Sequence, residues 1–251
     1  MPAQESKSQL APHGVLSKYY ADSVERRTRV GEMFDASARH YDWINGVLSF
    51  GTGERYRREA LVRAGLQPGM HTLDTGCGTG VVAGICADIA GPTGCCVALD
   101  PSREMLCQAI QKGRVNRAVR GTAERLPFAS NRFDMLTMGY ALRHVEDLLT
   151  TFSEYRRVLK PFGKVLLLEI TPPESRIPYF LLKAYLKFGI PGIVRLARRS
   201  RDAQTLMSYY WDTIEHCVPP ARILEALQQA GLKDASRNVE AGIFSEYTAR
   251  K

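Results

Sequence analysis

Short apolar runs recur along this chain and are separated by longer stretches of mixed polarity. "MHTLDTG", "CCVALD", "RFDMLTMGYA" and "GKVLLLEIT" are four such runs. Each is too short for a helix and is bounded by glycine or polar residues, so each reads as a buried strand. "AGIFSEYTARK" alternates like a final strand. Between the runs lie helical patterns. "VVAGICADIA" is apolar nearly all round, and "PSREMLCQAIQKG" has Ser102 placed as an N-cap. "LLTTFSEYRRVLK" is amphipathic, and "PPARILEALQQAGL" opens on prolines and closes on Gly231. Apolar strands alternating with helices predict an α/β fold with a mostly parallel sheet covered on both faces.

The flanks fit a single domain of 251 residues. Residues 1–14 read as a loose polar tail and 15–65 as a helical lid broken at "SFGTGE". Residues 66–171 and 217–251 form the core, and 172–216 a helical insert before the last helix. The six cysteines show no metal-type spacing. The N-terminus lacks a hydrophobic signal segment, and no run approaches the ~20 apolar residues of a membrane span. These features predict reduced thiols and a cytoplasmic protein.

The net charge of +8 changes the picture only locally. Arg176, Lys183, Lys187, Arg195, Arg198, Arg199 and Arg201 fall in an interval without Asp or Glu, interleaved with aromatic and aliphatic residues. The interval reads as a surface for an anionic membrane or as a solvated helix face, with equal weight.

The chemistry centres on "LDTGCGTG" at Leu73–Gly80. A strand, a glycine-rich turn and a helix bring a ligand against bare backbone. The spacing Gly76-x-Gly78-x-Gly80 differs from the usual dinucleotide fingerprint, which disfavours a nicotinamide oxidoreductase. Asp74 suits a cationic ammonium better than a pyrophosphate. Asp100, at the end of the second strand, suits the two hydroxyls of a ribose and also a cap on the next helix. A nucleoside with an amino-acid tail satisfies both acids, and S-adenosyl-L-methionine is such a molecule.

At this point the chain resembles the class I S-adenosylmethionine-dependent methyltransferases, and within them the ubiquinone/menaquinone C-methyltransferase family, over roughly residues 30–250. "LDTGCGTG", "VALDPSREML" and "GTAERLPFASNRFD" carry the general resemblance. "YDWINGVLSFG", "YALRHV", "RVLKPFGKVLLLEIT" and "YYWDTIE" carry the narrower one. The resemblance implies a seven-stranded Rossmann-like sheet. It also implies that Thr79 and the glycine backbone hold the methionine moiety, Asp100 the ribose, Thr122 and Ala123 the adenine, and that Gly139 lies beside the methionine part. Tyr140 to His144 then face the transferring methyl. Arg143 is expected to hold a phenolate, and His144 or a water it holds to take a proton; His144 reads also as a helix cap. Tyr41, with Asp42 and Asn45, belongs to the lid, and Tyr41 reads also as simple packing. Tyr209 and Asp212 reach the same cavity or form an ordinary amphipathic face.

The implied reaction is methylation of a ring carbon of a prenylated quinol, without a metal and without nucleic acid as partner. A homodimer or a biosynthetic complex stays open. Departures from the family pattern are Ile44 for methionine, Gly53 and Tyr56 for histidine and tryptophan, Thr122 for an acid or amide, His144 for asparagine, Phe162 for glycine and Thr171 for serine. Methylation of another phenol or a phospholipid amine is the alternative activity. A non-catalytic cofactor-binding member of a biosynthetic complex is the alternative that is not an enzyme.

Overall fold

The computed structural model describes residues 10–48, 51–190, 192 and 201–251. Seven strands form one sheet: β1 (His71–Thr75), β2 (Cys95–Asp100), β3 (Ala118–Arg120), β4 (Phe133–Gly139), β5 (Leu159–Ile170), β6 (Lys233–Glu240) and β7 (Phe244–Arg250). Their order is β3-β2-β1-β4-β5-β7-β6. β1 to β5 run parallel, whereas β7 is antiparallel to both β5 and β6. The expected α/β class and mostly parallel sheet are found.

The central strands are buried on both sides, which is why they read as continuous apolar runs. Successive residues of β5 make the division plain. Val165 and Leu167 join a core with Phe152, Tyr155, Ile223 and Leu227, while Leu166 and Leu168 join one with Leu61, Ile85, Cys86 and Leu106. The first face is covered by α5 (Leu148–Val158) and α8 (Pro220–Gln229). The second is covered by α2 (Gly53–Arg63), α3 (Val81–Ala90) and α4 (Arg103–Gln111). Ser102 caps α4 as expected, its hydroxyl accepting from the Met105 amide at 3.0 Å.

Three further helices make a third, aromatic layer. They are α1 (Ser23–Leu48), α6 (Arg176–Ala184), which continues into a π-turn at Tyr185–Gly189, and α7 (Arg201–Glu215). Tyr20, Val30, Leu186, Tyr209, Tyr210 and Trp211 pack there, with Phe34 and Tyr41 against them. Asp22 starts α1 by accepting from the amides of Val24 and Glu25 at 2.9 and 2.8 Å.

Residues 10–14, read from sequence as part of a loose tail, are docked. The Leu148 amide donates to the Leu10 carbonyl at 2.9 Å, the Val218 amide donates to the Pro12 carbonyl at 2.7 Å, and His13 is buried. Residues 1–9 lie outside the described residues, as do Arg195, Arg198 and Arg199 of the basic interval. The six cysteines are unbridged. Among the described residues, no helix is long and apolar enough to cross a membrane.

Candidate active site

A cavity of about 680 Å³ opens at the carboxyl ends of β1, β2 and β4 and is roofed by α1. That is where an open α/β sheet takes its ligand. Gly76, Gly78 and Gly139 form one wall, Asp100, Ser102, Thr122 and Ala123 a second, Phe34 and Tyr41 the roof, and Tyr140 and His144 the far end.

The glycine loop is shaped by close approach. Gly76 has φ +62°, and a Cβ there would fall 2.7 Å from the Cβ of Ala141. Gly80 has φ +80°, and its Cβ would meet Ala109 at 3.0 Å and Val115 at 3.1 Å. Neither position accepts a side chain. Gly80 and Thr79 do not line the cavity: the Thr79 hydroxyl is turned onto Asp42 of α1. Asp42 also receives Lys112 Nζ at 2.7 Å and Arg114 Nη1 at 2.6 Å, so it ties the roof to the loop. Burial pushes the Asp42 carboxyl up, but these hydrogen bonds and the Arg114 charge reverse this and hold it below the usual range.

Asp100 is on the wall. One of its oxygens accepts from the Gly78 amide and the other from the Ser102 amide, both at 2.8 Å. The bond to the Ser102 amide closes a turn just before α4, whose cap is Ser102 itself, so Asp100 lies on the cavity wall and is not the helix cap. Burial pushes its carboxyl up to about 6 despite these amides, with the charge of Asp35 adding to the effect. Asp35 lines the cavity too and takes the Ser102 hydroxyl. Sequence reading missed Asp35 and Phe34, because both sit in a helix whose pattern carries no motif.

Asp74 is placed differently from the expectation. It lies behind the loop, off the wall, with one oxygen taking the Thr137 hydroxyl at 2.6 Å and the other without a partner among the described residues. Burial raises it to about 7. It braces β1 against β4 beneath the glycine turn.

Arg143 is also turned away. Its guanidinium is fully buried, ion-paired with Glu169, 3.4 Å from the Thr213 hydroxyl and 4.6 Å from the centre of the Tyr210 ring. The reason is geometric: in the 3₁₀ turn Leu142–His144, consecutive side chains diverge, so only His144 reaches the cavity. Glu169, which also takes the Leu142 amide at 2.9 Å, thus anchors the turn from β5. Its sequence signal was an acid inside an otherwise apolar strand.

His144 lies between Phe34 and Tyr209, with ring centres 5.1 and 5.6 Å away. Both its nitrogens are buried without a partner among the described residues, so it is not a helix cap; Asp147 caps α5 instead. Burial, with the charges of Arg143 and Arg26, holds the imidazole well below its ordinary value. Arg26 of α1 donates to the carbonyls of Arg143 and Val145 at 2.9 and 3.2 Å, fixing the turn on either side of His144. Tyr140 adopts φ +60° at the end of β4, a sparsely populated conformation for a non-glycine residue and common at functional sites.

Tyr209 is fully buried behind His144 and off the cavity wall. Asp212 lies elsewhere, taking the Tyr19 hydroxyl at 2.7 Å and Lys18 Nζ at 3.1 Å. It is the anchor of the N-terminal segment, not a cavity group. The Asn45 side chain is outside the described residues.

The cavity fits S-adenosylmethionine on its own geometry. It offers a wall of glycine backbone at Gly76, Gly78 and Gly139 and a buried carboxylate, Asp100, on the facing wall.

Comparison with known proteins agrees with this geometry. Residues 22–251 match the ubiE/COQ5 methyltransferase family. A demethylmenaquinone methyltransferase of Mycobacterium sp. (strain KMS) is 34% identical over 223 residues, covering 88% of this chain and 94% of that protein. The ubiquinone/menaquinone biosynthesis C-methyltransferase UbiE of Cupriavidus necator is 31% identical over 235 residues, covering 92% and 95%. Solved structures share the fold at lower identity. A SAM-dependent methyltransferase from Aquifex aeolicus has a TM-score of 0.57 at 20% identity over 77% of this chain and 88% of its own. Phosphoethanolamine N-methyltransferase 2 of Haemonchus contortus, in complex with S-adenosyl-L-methionine, has a TM-score of 0.60 at 18% identity over 86% and 57%. The chain is an S-adenosylmethionine-dependent methyltransferase and belongs to the ubiE/COQ5 methyltransferase family.

Proposed function

We propose that this enzyme transfers a methyl group to a ring carbon of a prenylated quinol. The observation that carries the reading is the pairing, in one cavity, of the glycine wall with an aromatic end made by Phe34, Tyr41, Tyr140 and His144. Such an end suits a flat ring with a hydroxyl, and the relatives named for demethylmenaquinone and ubiquinone supply the ring class.

Bound against the glycine wall and Asp100, S-adenosylmethionine supplies an already activated methyl group. The chain's own task is to place the acceptor and manage one proton. A ring hydroxyl donates to an unpartnered nitrogen of neutral His144, and its proton moves there as the ortho carbon becomes nucleophilic. Once that carbon holds the methyl group, its own hydrogen passes as a proton to solvent and His144 returns the hydroxyl proton to the ring oxygen, so the aromatic quinol and the neutral imidazole are both restored and one proton is released net. Tyr41 and Phe34 close the roof, and α1 acts as the lid that keeps water from the transfer. Asp100, Thr122 and Ala123 hold the nucleoside, and Gly76, Gly78 and Gly139 the methionine end.

A substrate of this kind resides in a membrane. The reading therefore includes a cytoplasmic enzyme in peripheral contact with an anionic bilayer through the helical insert.

Methyl transfer from isotopically labelled S-adenosylmethionine to chemically reduced demethyl-benzoquinols and demethyl-naphthoquinols tests this. Label on a ring carbon, located by mass spectrometry, is the expected result. Label on oxygen, on a lipid amine, or on nothing overturns it.

A further inference from the structure

Helix α6 is apolar on both sides, yet only one side is covered. Tyr179 and Leu182, with Tyr185 and Leu186 of the π-turn that follows, pack into the aromatic layer that also holds Phe34 and Tyr41 of the cavity roof. On the outer side Ile177 is 75% exposed, Phe180 62%, Leu181 67%, and Phe188 in the π-turn 67%. Single exposed apolar residues are ordinary, but four large ones on one short segment mark a surface with a partner.

The charge around them narrows the partner. From Ser175 to Ser200 the sequence holds no Asp or Glu. Lys183 is directed inward, ion-paired with Glu215 and over the rings of Tyr179 and Trp211. Arg176 and Lys187 directly adjoin Ile177 and Phe188 in the sequence. A second copy of the chain would set these cations against themselves in a two-fold contact, whereas an acidic bilayer would complement them.

We propose that the outer face of α6 inserts into an anionic lipid surface and seats the cavity roof against the membrane that holds the substrate. Ile177, Phe180, Leu181 and Phe188 supply most of the affinity, and Arg176 and Lys187 supply the preference for acidic headgroups. This deepens the prenylated-quinol reading and rests on it for the nature of the substrate. It also shifts the weight from the seven basic residues to the apolar side chains.

Vesicle flotation of the full-length protein tests the face without using activity. Vesicles of phosphatidylcholine alone are compared with vesicles of phosphatidylcholine and phosphatidylglycerol. The wild type is expected to float with both and more strongly with the mixture. Phe180→Ser with Phe188→Ser weakens binding to both compositions by about tenfold per phenylalanine, with an unchanged melting temperature because both side chains are exposed. Arg176→Gln with Lys187→Gln removes only the preference for the mixture, about fivefold per charge. Absence of flotation by the wild type overturns the proposal, as does undiminished flotation of the serine variant. Gel filtration showing a wild-type dimer that the serine variant dissociates, without vesicle binding, overturns it in favour of a second copy. Methyl transfer to a short-tailed, water-soluble quinol is measured separately. If it fails while flotation follows the phenylalanines, the substrate reading falls and the lipid face stands.

Discussion

His144 lies stacked on Tyr209, ring centres 5.6 Å apart and planes 26° from parallel. Tyr209 is thus the backing that fixes the imidazole plane at the end of the cavity. Because burial holds the imidazole well below its ordinary value, it stays neutral through the physiological range. The neutral form is the one that accepts a proton. The expected profile of kcat/KM for the quinol, taken at saturating S-adenosylmethionine, is therefore flat from about pH 8 to pH 6, without the fall near 6.5 that an unperturbed histidine would give. His144→Ala lowers kcat about 100-fold, in the usual range for loss of a general base, and leaves cofactor binding intact. An inflection near 6.5 in the wild type, or full turnover in the alanine variant, sinks the assignment.

Asp100 connects pH to cofactor affinity. Its folded value is raised to about 6 because burial penalises the charge. Two ribose hydroxyls donating to the carboxylate favour the ionised form, so binding lowers this value and releases protons near pH 6. Affinity is expected to fall as pH drops below about 6. Calorimetry in two buffers of different ionisation enthalpy reads the proton release directly. Asp100→Asn keeps an acceptor but loses the charge, and weakens binding about tenfold or more. Proton uptake on binding, or pH-independent affinity, contradicts this role.

Much of the fold was legible because buried parallel strands carry their signal in composition. β1, β2, β4 and β5 are apolar runs, and Gly76 and Gly80 mark the turn by what they lack. β3 and β6 were not legible as strands: they are the two sheet edges, and "KDASRNVE" is polar because an edge faces water. In the site, Asp100, Gly78, Gly139 and His144 line the cavity. Arg143, Asp74 and Asp212 do not. Sequence gives adjacency, but direction depends on the turn. Arg143 and His144 are neighbours whose side chains diverge, one to Glu169 and one to the cavity. Nor does a one-dimensional pattern reveal Glu169 as a partner 26 positions from Arg143.

That ion pair supports a stability prediction. Arg143 and Glu169 are both buried, and each compensates the other's charge. Glu169→Gln leaves a buried guanidinium with a neutral neighbour, at an expected cost of about 3–5 kcal/mol. Replacing both with similar-sized apolar residues, Arg143→Met and Glu169→Leu, recovers most of that loss. Denaturant unfolding of the single and double variants measures both. A cost below about 1 kcal/mol for Glu169→Gln shows that the pair does not hold the turn to β5.

Phe162 stands where the resembled family carries glycine, and its backbone explains that glycine. It adopts φ +64° within β5, in the left-handed region that costs a side chain about 1–2 kcal/mol. The ring returns little, since it is 79% exposed. Phe162→Gly removes the strain but adds unfolded-state freedom worth about 0.5–1 kcal/mol. The two leave a net stabilisation of up to about 1.5 kcal/mol, or a rise of up to about 6 °C in melting temperature for a domain of this size. Phe162→Ala separates the contributions, since it keeps the backbone strain while deleting the exposed ring, and is expected to leave the melting temperature unchanged. If Phe162→Gly lowers the melting temperature while Phe162→Ala lowers it equally, the ring makes a stabilising contact and backbone strain is not what distinguishes this position.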